Sequence, residues 1–170
     1  MKFMLATALF FTSAAVIADP KPFGLEIGKA TIADAEKAYN IEKTGTNKYS
    51  NGPMYNVPVS QLNYDGLKEL TLIFNQKGIL TGALATLPKD QFKATHQSLS
   101  KKYKVISQQV PFVGNSSAKY IDGSTEIELN APHLSFDMSM NYLHKELKNA
   151  FEAQSKAESA AKKRAQESQL

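Results

Sequence analysis

The 170-residue sequence contains neither cysteine nor tryptophan. Without cysteine no disulfide can form, and we expect no lipid attachment of the lipoprotein type. The three histidines are scattered, and none stands at the spacing typical of paired metal ligands. We therefore predict neither a metal nor another cofactor. Beyond the first 18 residues no apolar run reaches the roughly 18 residues that a spanning helix needs, so we expect no membrane insertion of the mature chain.

The sequence also lacks a strong excess of charge of either sign. The sequence has 20 basic and 16 acidic residues, which gives a formal net charge of +4. A protein that follows a phosphate backbone carries a stronger and more localised positive field. The composition therefore predicts no nucleic-acid partner.

Residues 1–18 have the layout of a cleaved secretory signal peptide. Lys2 supplies the positive charge, and Phe3 to Ile17 form an apolar stretch that is too short to remain as a spanning helix. We expect the mature chain to begin near Asp19 and to work in a bacterial periplasm, with secretion as the alternative.

The remaining length fits one domain, residues 19–145, followed by a helical tail, residues 146–170. The hydrophobic periodicities predict an α+β fold, with an antiparallel sheet of about six strands, two short amphipathic helices and a C-terminal helix. The predicted order is strand, helix, loop, three strands, helix, three strands and terminal helix. Both halves therefore place a helix before antiparallel strands, which indicates an internal duplication of structure.

Local patterns give the bounds of several predicted elements. Residues 23–28 alternate as a strand, and Thr31 with Asp34 predicts a capping box for a helix at 32–39. A three-stranded meander is predicted over residues 59–87, and a second helix over residues 89–103.

The segment from His133 to Leu143 has the most regular alternation in the chain. One set of its side chains is apolar and is predicted to face the core: Leu134, Phe136, Met138, Met140 and Tyr142. The other set is polar and is predicted to face solvent, as in an antiparallel sheet that is covered on one side.

The stretch Leu25-Glu26-Ile27-Gly28-Lys29-Ala30-Thr31-Ile32-Ala33-Asp34-Ala35-Glu36-Lys37-Ala38-Tyr39 resembles the opening of small bacterial envelope domains. In the outer-membrane assembly lipoproteins, and in β-lactamase inhibitor proteins of related fold, a strand ends in Gly and a Ser or Thr caps the helix before an antiparallel sheet. This chain departs from them in lacking the lipid-attachment cysteine, a second early helix and the cysteines common in the inhibitors. The resemblance implies a non-enzymatic, protein-binding role and transfers no functional residues.

Catalytic patterns are weak in this sequence. His133, Ser135 and Asp137 share a strand face, but same-face neighbours lie about 6.5–7 Å apart, which exceeds hydrogen-bond reach. Glu126 and Glu128 alternate with apolar residues and are predicted to face solvent, and Gly-rich phosphate motifs are absent. We therefore predict that the protein is not an enzyme. The alternatives are a small secreted hydrolase with a site built from distant residues, and a carrier that holds a small apolar ligand between the sheet and the second helix.

The loop at residues 46–56 is the predicted contact surface. Tyrosine among asparagine, serine and glycine is typical of recognition loops, because tyrosine offers a large contact area at low entropy cost. The alternative is an ordinary connection whose aromatic side chains pack on the sheet. The predicted partner-binding residues are Asn47, Tyr49, Asn51, Met54 and Tyr55. The favoured function is non-catalytic binding of another protein, as an inhibitor, immunity or envelope-assembly module.

Overall fold

Eight antiparallel strands form a single sheet in the computed structural model, which describes residues 18–169. The strands are β1 (Glu42–Thr46), β2 (Pro53–Asn56), β3 (Glu69–Phe74), β4 (Leu80–Pro88), β5 (Lys104–Gln109), β6 (Ser116–Asp122), β7 (Thr125–Ala131) and β8 (Asp137–His144). The helices are α1 (Ile32–Ala38), α2 (Phe92–Lys102) and α3 (Lys145–Glu167). The predicted α+β class with a C-terminal helix is confirmed, whereas the expected count of six strands is wrong. The predicted signal peptide lies outside the described residues, apart from Ala18.

The sheet consists of two four-stranded repeats. Its strand order is β1-β2-β3-β4-β8-β7-β6-β5, so the last strand of each repeat pairs with the last strand of the other. Helix α1 precedes β1 and helix α2 precedes β5. Because β4 and β8 are antiparallel, equivalent loops of the two repeats lie at opposite ends of the sheet. The arrangement matches the duplication that the order of predicted elements indicates.

The core lies on one face of the sheet, which we call the inner face. Both α1 and α2 pack there: Ala35 of α1 and Phe92 and Leu99 of α2 are buried in the same apolar cluster as the strands. The strands contribute alternating residues to this cluster, among them Leu70, Leu72, Ala83, Ala85, Leu87, Tyr120, Ile127, Leu129, Met138, Met140 and Tyr142. Helix α3 lies on the opposite, outer face, where its Leu147 is close to Gly82.

The capping box of α1 is present. The Thr31 backbone N–H donates to Asp34 Oδ2 at 2.8 Å, and the Asp34 N–H donates to Thr31 Oγ1 at 3.2 Å. These reciprocal bonds satisfy two amide groups that the first helical turn leaves without partners.

Two predicted strands are absent from the sheet. Residues 23–28 contain a 3-10 turn, Pro22–Gly24, and the alternation there instead reflects the burial of Leu25 and Ile27 against the core. Residues 59–64, which are the first strand of the predicted meander, begin with a second 3-10 turn, Val59–Gln61. Part of the predicted loop instead forms the hairpin of β1 and β2, so the meander of this repeat is built from β2, β3 and β4.

The predicted strand at 133–143 is shorter than its alternation. Strand β8 begins at Asp137, opposite Pro88, where β4 ends. Met138, Met140 and Tyr142 are buried as predicted, but Leu134 and Phe136 are each 92% exposed. Their predicted core positions are wrong, because the loop that carries them lies beyond the end of the partner strand.

Gly52 allows the loop between β1 and β2 to approach the end of β3. A Cβ atom at this position would lie less than 3.0 Å from the carbonyl oxygen of Phe74 and from backbone atoms of Asn75. Backbone atoms cannot rotate away, so Gly52→Ala is expected to lower the free energy of unfolding by about 1–3 kcal/mol, measured by urea denaturation. The neighbouring variant Asn51→Gly is the control. Asn51 has a φ of 52°, which glycine adopts without strain, so this variant should be at least as stable as the wild type. Equal stability of Gly52→Ala and wild type would show that the loop can move away from β3.

Candidate functional site

Helix α3 is attached to the outer face through Leu147 and a set of polar contacts. A Cβ atom on Gly82 would lie 2.8 Å from Leu147 Cδ2, so the absence of a side chain at Gly82 allows Leu147 to pack closely on β4. Lys148 forms an ion pair with Glu126 of β7. His144 Nδ1 accepts the N–H of the second residue of α3 at 3.3 Å. The first turns of α3 are thus fixed to the sheet.

The carboxylates on this face are engaged with lysines. Lys119 Nζ lies 3.2 Å from Glu126 and 2.5 Å from Glu128, and the two glutamate side chains are 11% and 20% exposed. Burial alone would raise the pKa of Glu126, but hydrogen bonds from Lys148 and other neighbours hold that pKa below its ordinary value. The hydrogen bond to Glu128 raises the pKa of Lys119. The prediction that Glu126 and Glu128 face solvent is therefore wrong, because residues of β6 and α3 cover these side chains.

The predicted recognition loop is held by contacts within the chain. The side-chain oxygen of Asn47 accepts the backbone N–H groups of Tyr49 and Ser50 at 2.9 and 3.0 Å. The Tyr49 ring meets Phe151 of α3 edge to face, with ring centroids 5.0 Å apart. Asn51 is exposed in the turn. The loop between β1 and β2 therefore packs against α3 through Tyr49.

Met54 and Tyr55 occupy successive positions of β2, so they point to opposite faces of the sheet. Met54 Sδ lies 3.7 Å from the amide nitrogen of Asn47, whereas the Tyr55 ring packs on Phe74 at 5.6 Å as part of the inner-face core. The structure brings Asn47, Tyr49 and Met54 close together and places Tyr55 elsewhere. Their role in partner binding stays a prediction.

Exposed apolar side chains cluster at the other end of the sheet, in the β5–β6 and β7–β8 loops. We call this set the tip surface, and its members are 55%, 105%, 67%, 92% and 92% exposed, respectively: Val110, Phe112, Val113, Leu134 and Phe136. Sequence reasoning missed this surface, because Leu134 and Phe136 continue the alternation of β8. A usable signal was the position of Phe112-Val113 within a loop bounded by Pro111 and Gly114.

The two loops of the tip surface are anchored from beneath. The His133 N–H donates to Asn115 Oδ1 at 2.7 Å, which joins the loops. Lys89 Nζ donates to the carbonyl oxygens of Pro132 and His133 at 2.5 and 2.6 Å, and the Lys89 N–H donates to Phe136 at 2.9 Å. The backbone of the β7–β8 loop, which carries Leu134 and Phe136, is therefore held in place.

The side chains of Ser135 and Asp137, two of the three residues weighed for catalysis, have partners within the chain. Ser135 Oγ accepts the Asp137 N–H at 3.0 Å, and Asp137 is ion-paired with Lys68. His133 is exposed in the tip loop, and His96 Nδ1 lies 2.5 Å from the Tyr120 hydroxyl inside the domain.

Comparisons of the chain with protein-family models, with curated proteins and with solved structures find no match. Within residues 18–169, His, Cys, Asp and Glu nowhere form a group of three that could hold a metal ion. No helix in the same part of the chain is both long enough and apolar enough to cross a membrane.

The Glu126 ion pairs predict a specific pH dependence. The pKa of Glu126 is lowered in the folded chain, so its ionised form stabilises the fold above the ordinary value of 4.5, and this contribution is lost as the pH falls through the lowered value. Glu126→Gln is therefore expected to lower the free energy of unfolding by about 1–2 kcal/mol at neutral pH, and by less in acid. Urea denaturation of both proteins at about pH 7 and pH 3 measures the difference. Glu36→Gln, on the exposed side of α1, serves as the control with little effect at either pH. An equal loss at both pH values for Glu126→Gln would contradict the assignment.

Proposed function

We propose that this protein is an exported, non-catalytic protein-binding module of the inhibitor, immunity or envelope-assembly type, and that the tip surface is its contact. The observation that carries the proposal is the exposure of Phe112, Leu134 and Phe136, which are 105%, 92% and 92% exposed. The predicted signal peptide supports a periplasmic location, with secretion as the alternative.

The energetics favour an interaction surface at this end of the sheet. Isolated exposed apolar residues are common, but several on adjoining loops indicate a contact site. Burial of a single Phe or Leu side chain is worth about 1.5–3 kcal/mol, so three such side chains offer a substantial gross gain. The hydrogen bonds that hold the β7–β8 loop reduce the ordering cost that a partner would otherwise have to offset.

Comparison of the two repeats supports the same conclusion. The β1–β2 loop of the first repeat is equivalent to the β5–β6 loop of the second. In the first repeat, Phe151 of α3 packs against Tyr49. In the second, no described side chain covers Phe112. We infer that a partner supplies the apolar cover that α3 provides to the first repeat.

The two lysines that contact the tip loops and the start of β8 are engaged within the chain, which favours a protein over an anionic membrane surface. Lys89 donates to backbone carbonyls, and Lys68 is paired with Asp137. Attraction to anionic lipid headgroups needs lysines that are free to reach them. The proposed occupant is therefore a protein with an apolar groove that accepts Phe112 and Phe136.

Two further points bear on this proposal, of which the first supports the class of function without locating the contact and the second adds another candidate contact. The resemblance of residues 25–39 to small envelope domains implies protein binding. The loop residues Asn47, Tyr49, Asn51, Met54 and Tyr55 form a second proposed contact, at the opposite end of the sheet from the tip surface.

Site-specific photocrosslinking in the exporting cell tests the tip surface. A benzophenone amino acid at position 112 or 136 is expected to give one discrete protein adduct, and the same probe at Glu36 on α1 is expected to give none. The variant Phe112→Ser/Leu134→Ser should abolish the adduct formed from position 136. Because these side chains are exposed, that variant should keep the wild-type stability within about 0.5 kcal/mol.

Several results would count against this contact. They are adducts of equal yield from position 36, adducts with lipid alone, and an undiminished adduct in the double-serine variant. Tyr49→Ala/Tyr55→Ala tests the second contact in the same assay. An unchanged yield in a folded variant would remove that loop from the interface.

A further inference from the structure

A cleft of about 360 Å³ opens on the inner face, at the point where both helices end. Tyr39 follows α1 and Tyr103 follows α2, so the two tyrosines hold the same position in the two repeats. Their N–H groups close the last turns in the same way, at 2.8 Å to Ala35 and at 2.8 Å to Leu99. The cleft is therefore formed jointly by the two repeats, and we call it the inner cleft.

Five of the twelve residues that line the inner cleft are aromatic. Tyr103 and Tyr142 meet nearly perpendicular to one another, with centroids 6.5 Å apart, and Phe23 lies 5.9 Å from Tyr64. Tyr142 is buried, which raises its pKa and keeps its hydroxyl neutral, whereas Tyr64 is 38% exposed at the mouth. Walls of this kind offer edges and faces on which a planar ring can stack.

The backbone of Phe23 is strained. Its φ of 51° and ψ of 31° place a bulky aromatic residue in the left-handed region, which costs about 1–3 kcal/mol. The Tyr39 hydroxyl donates to the Phe23 carbonyl oxygen at 2.6 Å and helps to hold this conformation. Strain of this kind is concentrated at functional sites, and here it accompanies a ring that lines the cleft.

The charge of the inner cleft has one sign. Lys21 and Lys102 line it, and its lining contains no Asp or Glu. Neither lysine forms an ion pair within the described residues. Lys102 Nζ lies 5.2 Å from the centre of the Tyr103 ring, which places a cation beside an aromatic wall.

The outer face provides a contrast. A cavity of about 410 Å³ lies there between α3 and the sheet, with mostly apolar walls, but the two lysines that line it are already paired with glutamates. That cavity has no unpaired charge to select a ligand. The inner cleft combines aromatic walls with two available cations.

We propose that the inner cleft binds a small, ring-bearing anion of the aromatic carboxylate class. The ring would stack between Phe23, Tyr64 and the tyrosines at the helix ends, and the carboxylate would lie toward Lys102 and Lys21. A cavity of about 150 Å³ holds one benzene, so the volume of the inner cleft suits about two rings. The site lies at the end of the second helix and not between that helix and the sheet, where the carrier alternative expects an apolar ligand, and its lysines select a charged ligand.

A matched pair of probes tests this proposal. The mature chain is titrated with 2-naphthoate and with the neutral 2-naphthalenemethanol, and the fluorescence of the naphthalene ring is followed. We expect one saturable site that binds naphthoate about tenfold or more tightly than the alcohol, with an advantage that shrinks as salt is added. Lys102→Gln should remove most of this advantage, whereas Lys102→Arg should retain it. Tyr64→Ala should weaken both probes.

The tip variant Phe112→Ser/Phe136→Ser is the control, and both affinities should be unchanged in it. Lys102 and Tyr64 are exposed, so their variants should fold, and thermal midpoints verify this. If Tyr64→Ala lowers the midpoint, Tyr64→Leu keeps the bulk and removes the ring. The proposal is overturned by equal affinities for the two probes, by absence of saturable naphthoate binding, or by loss of binding in the tip variant.

Discussion

The pairing of β4 with β8 is the interaction on which the rest of the architecture depends. Seven residue pairs, from Gly82 with Leu143 to Pro88 with Asp137, join the last strands of the two repeats into one sheet. A four-stranded sheet with one short helix offers little core by itself, whereas the joined sheet gives α1 and α2 a common inner face. The same antiparallel pairing sends equivalent loops to opposite ends and brings both helix ends to one cleft. The positions of the tip surface, the β1–β2 loop and the inner cleft all follow from the pairing of β4 with β8.

Elements specified by local chemistry could be predicted from the sequence. The Thr31–Asp34 capping box, the turn at Gly78 between β3 and β4, and the apolar spacing of α2 each determine structure within a few residues. The hairpin of β1 and β2 could not be predicted in this way, because its strands are short and rich in polar, Gly and Pro residues. It forms against the open edge of β3, and Gly52 permits the close approach. Residues 23–28 show the opposite case. Their apolar residues alternate as in a strand because Leu25 and Ile27 are buried in the core, but the segment is not a strand of the sheet.

The tip surface and the inner cleft could not be predicted from the sequence without knowledge of the sheet topology. Alternation shows which side chains share a face, but it does not show where the neighbouring strand ends, so Leu134 and Phe136 look like core residues in the sequence. The inner cleft depends on a correspondence between residues of the two repeats, and their sequence similarity is too weak to reveal it without the fold. Once the repeats are superposed in order, Lys37, Tyr39 and Ile41 correspond to Lys101, Tyr103 and Val105. Two identities and one conservative replacement over five positions are too few to stand out in a sequence search, yet here they lie at the ends of the two helices that bound the cleft.

Helix α3 is the feature that makes the two ends of the sheet different. It belongs to neither repeat, and it covers the outer face beside the β1–β2 loop while the equivalent loop of the second repeat keeps Phe112 exposed. The tip surface is therefore built by one repeat alone, whereas the inner cleft takes Tyr39 from the first repeat and Tyr103 from the second. A ligand in the cleft would contact both repeats and stabilise the folded chain as a whole, because it would bind the joined sheet and not the unfolded chain. A partner at the tip would contact two loops beyond the strand ends. The two proposed sites thus differ in the repeats that build them, and each can be altered without changing a residue of the other.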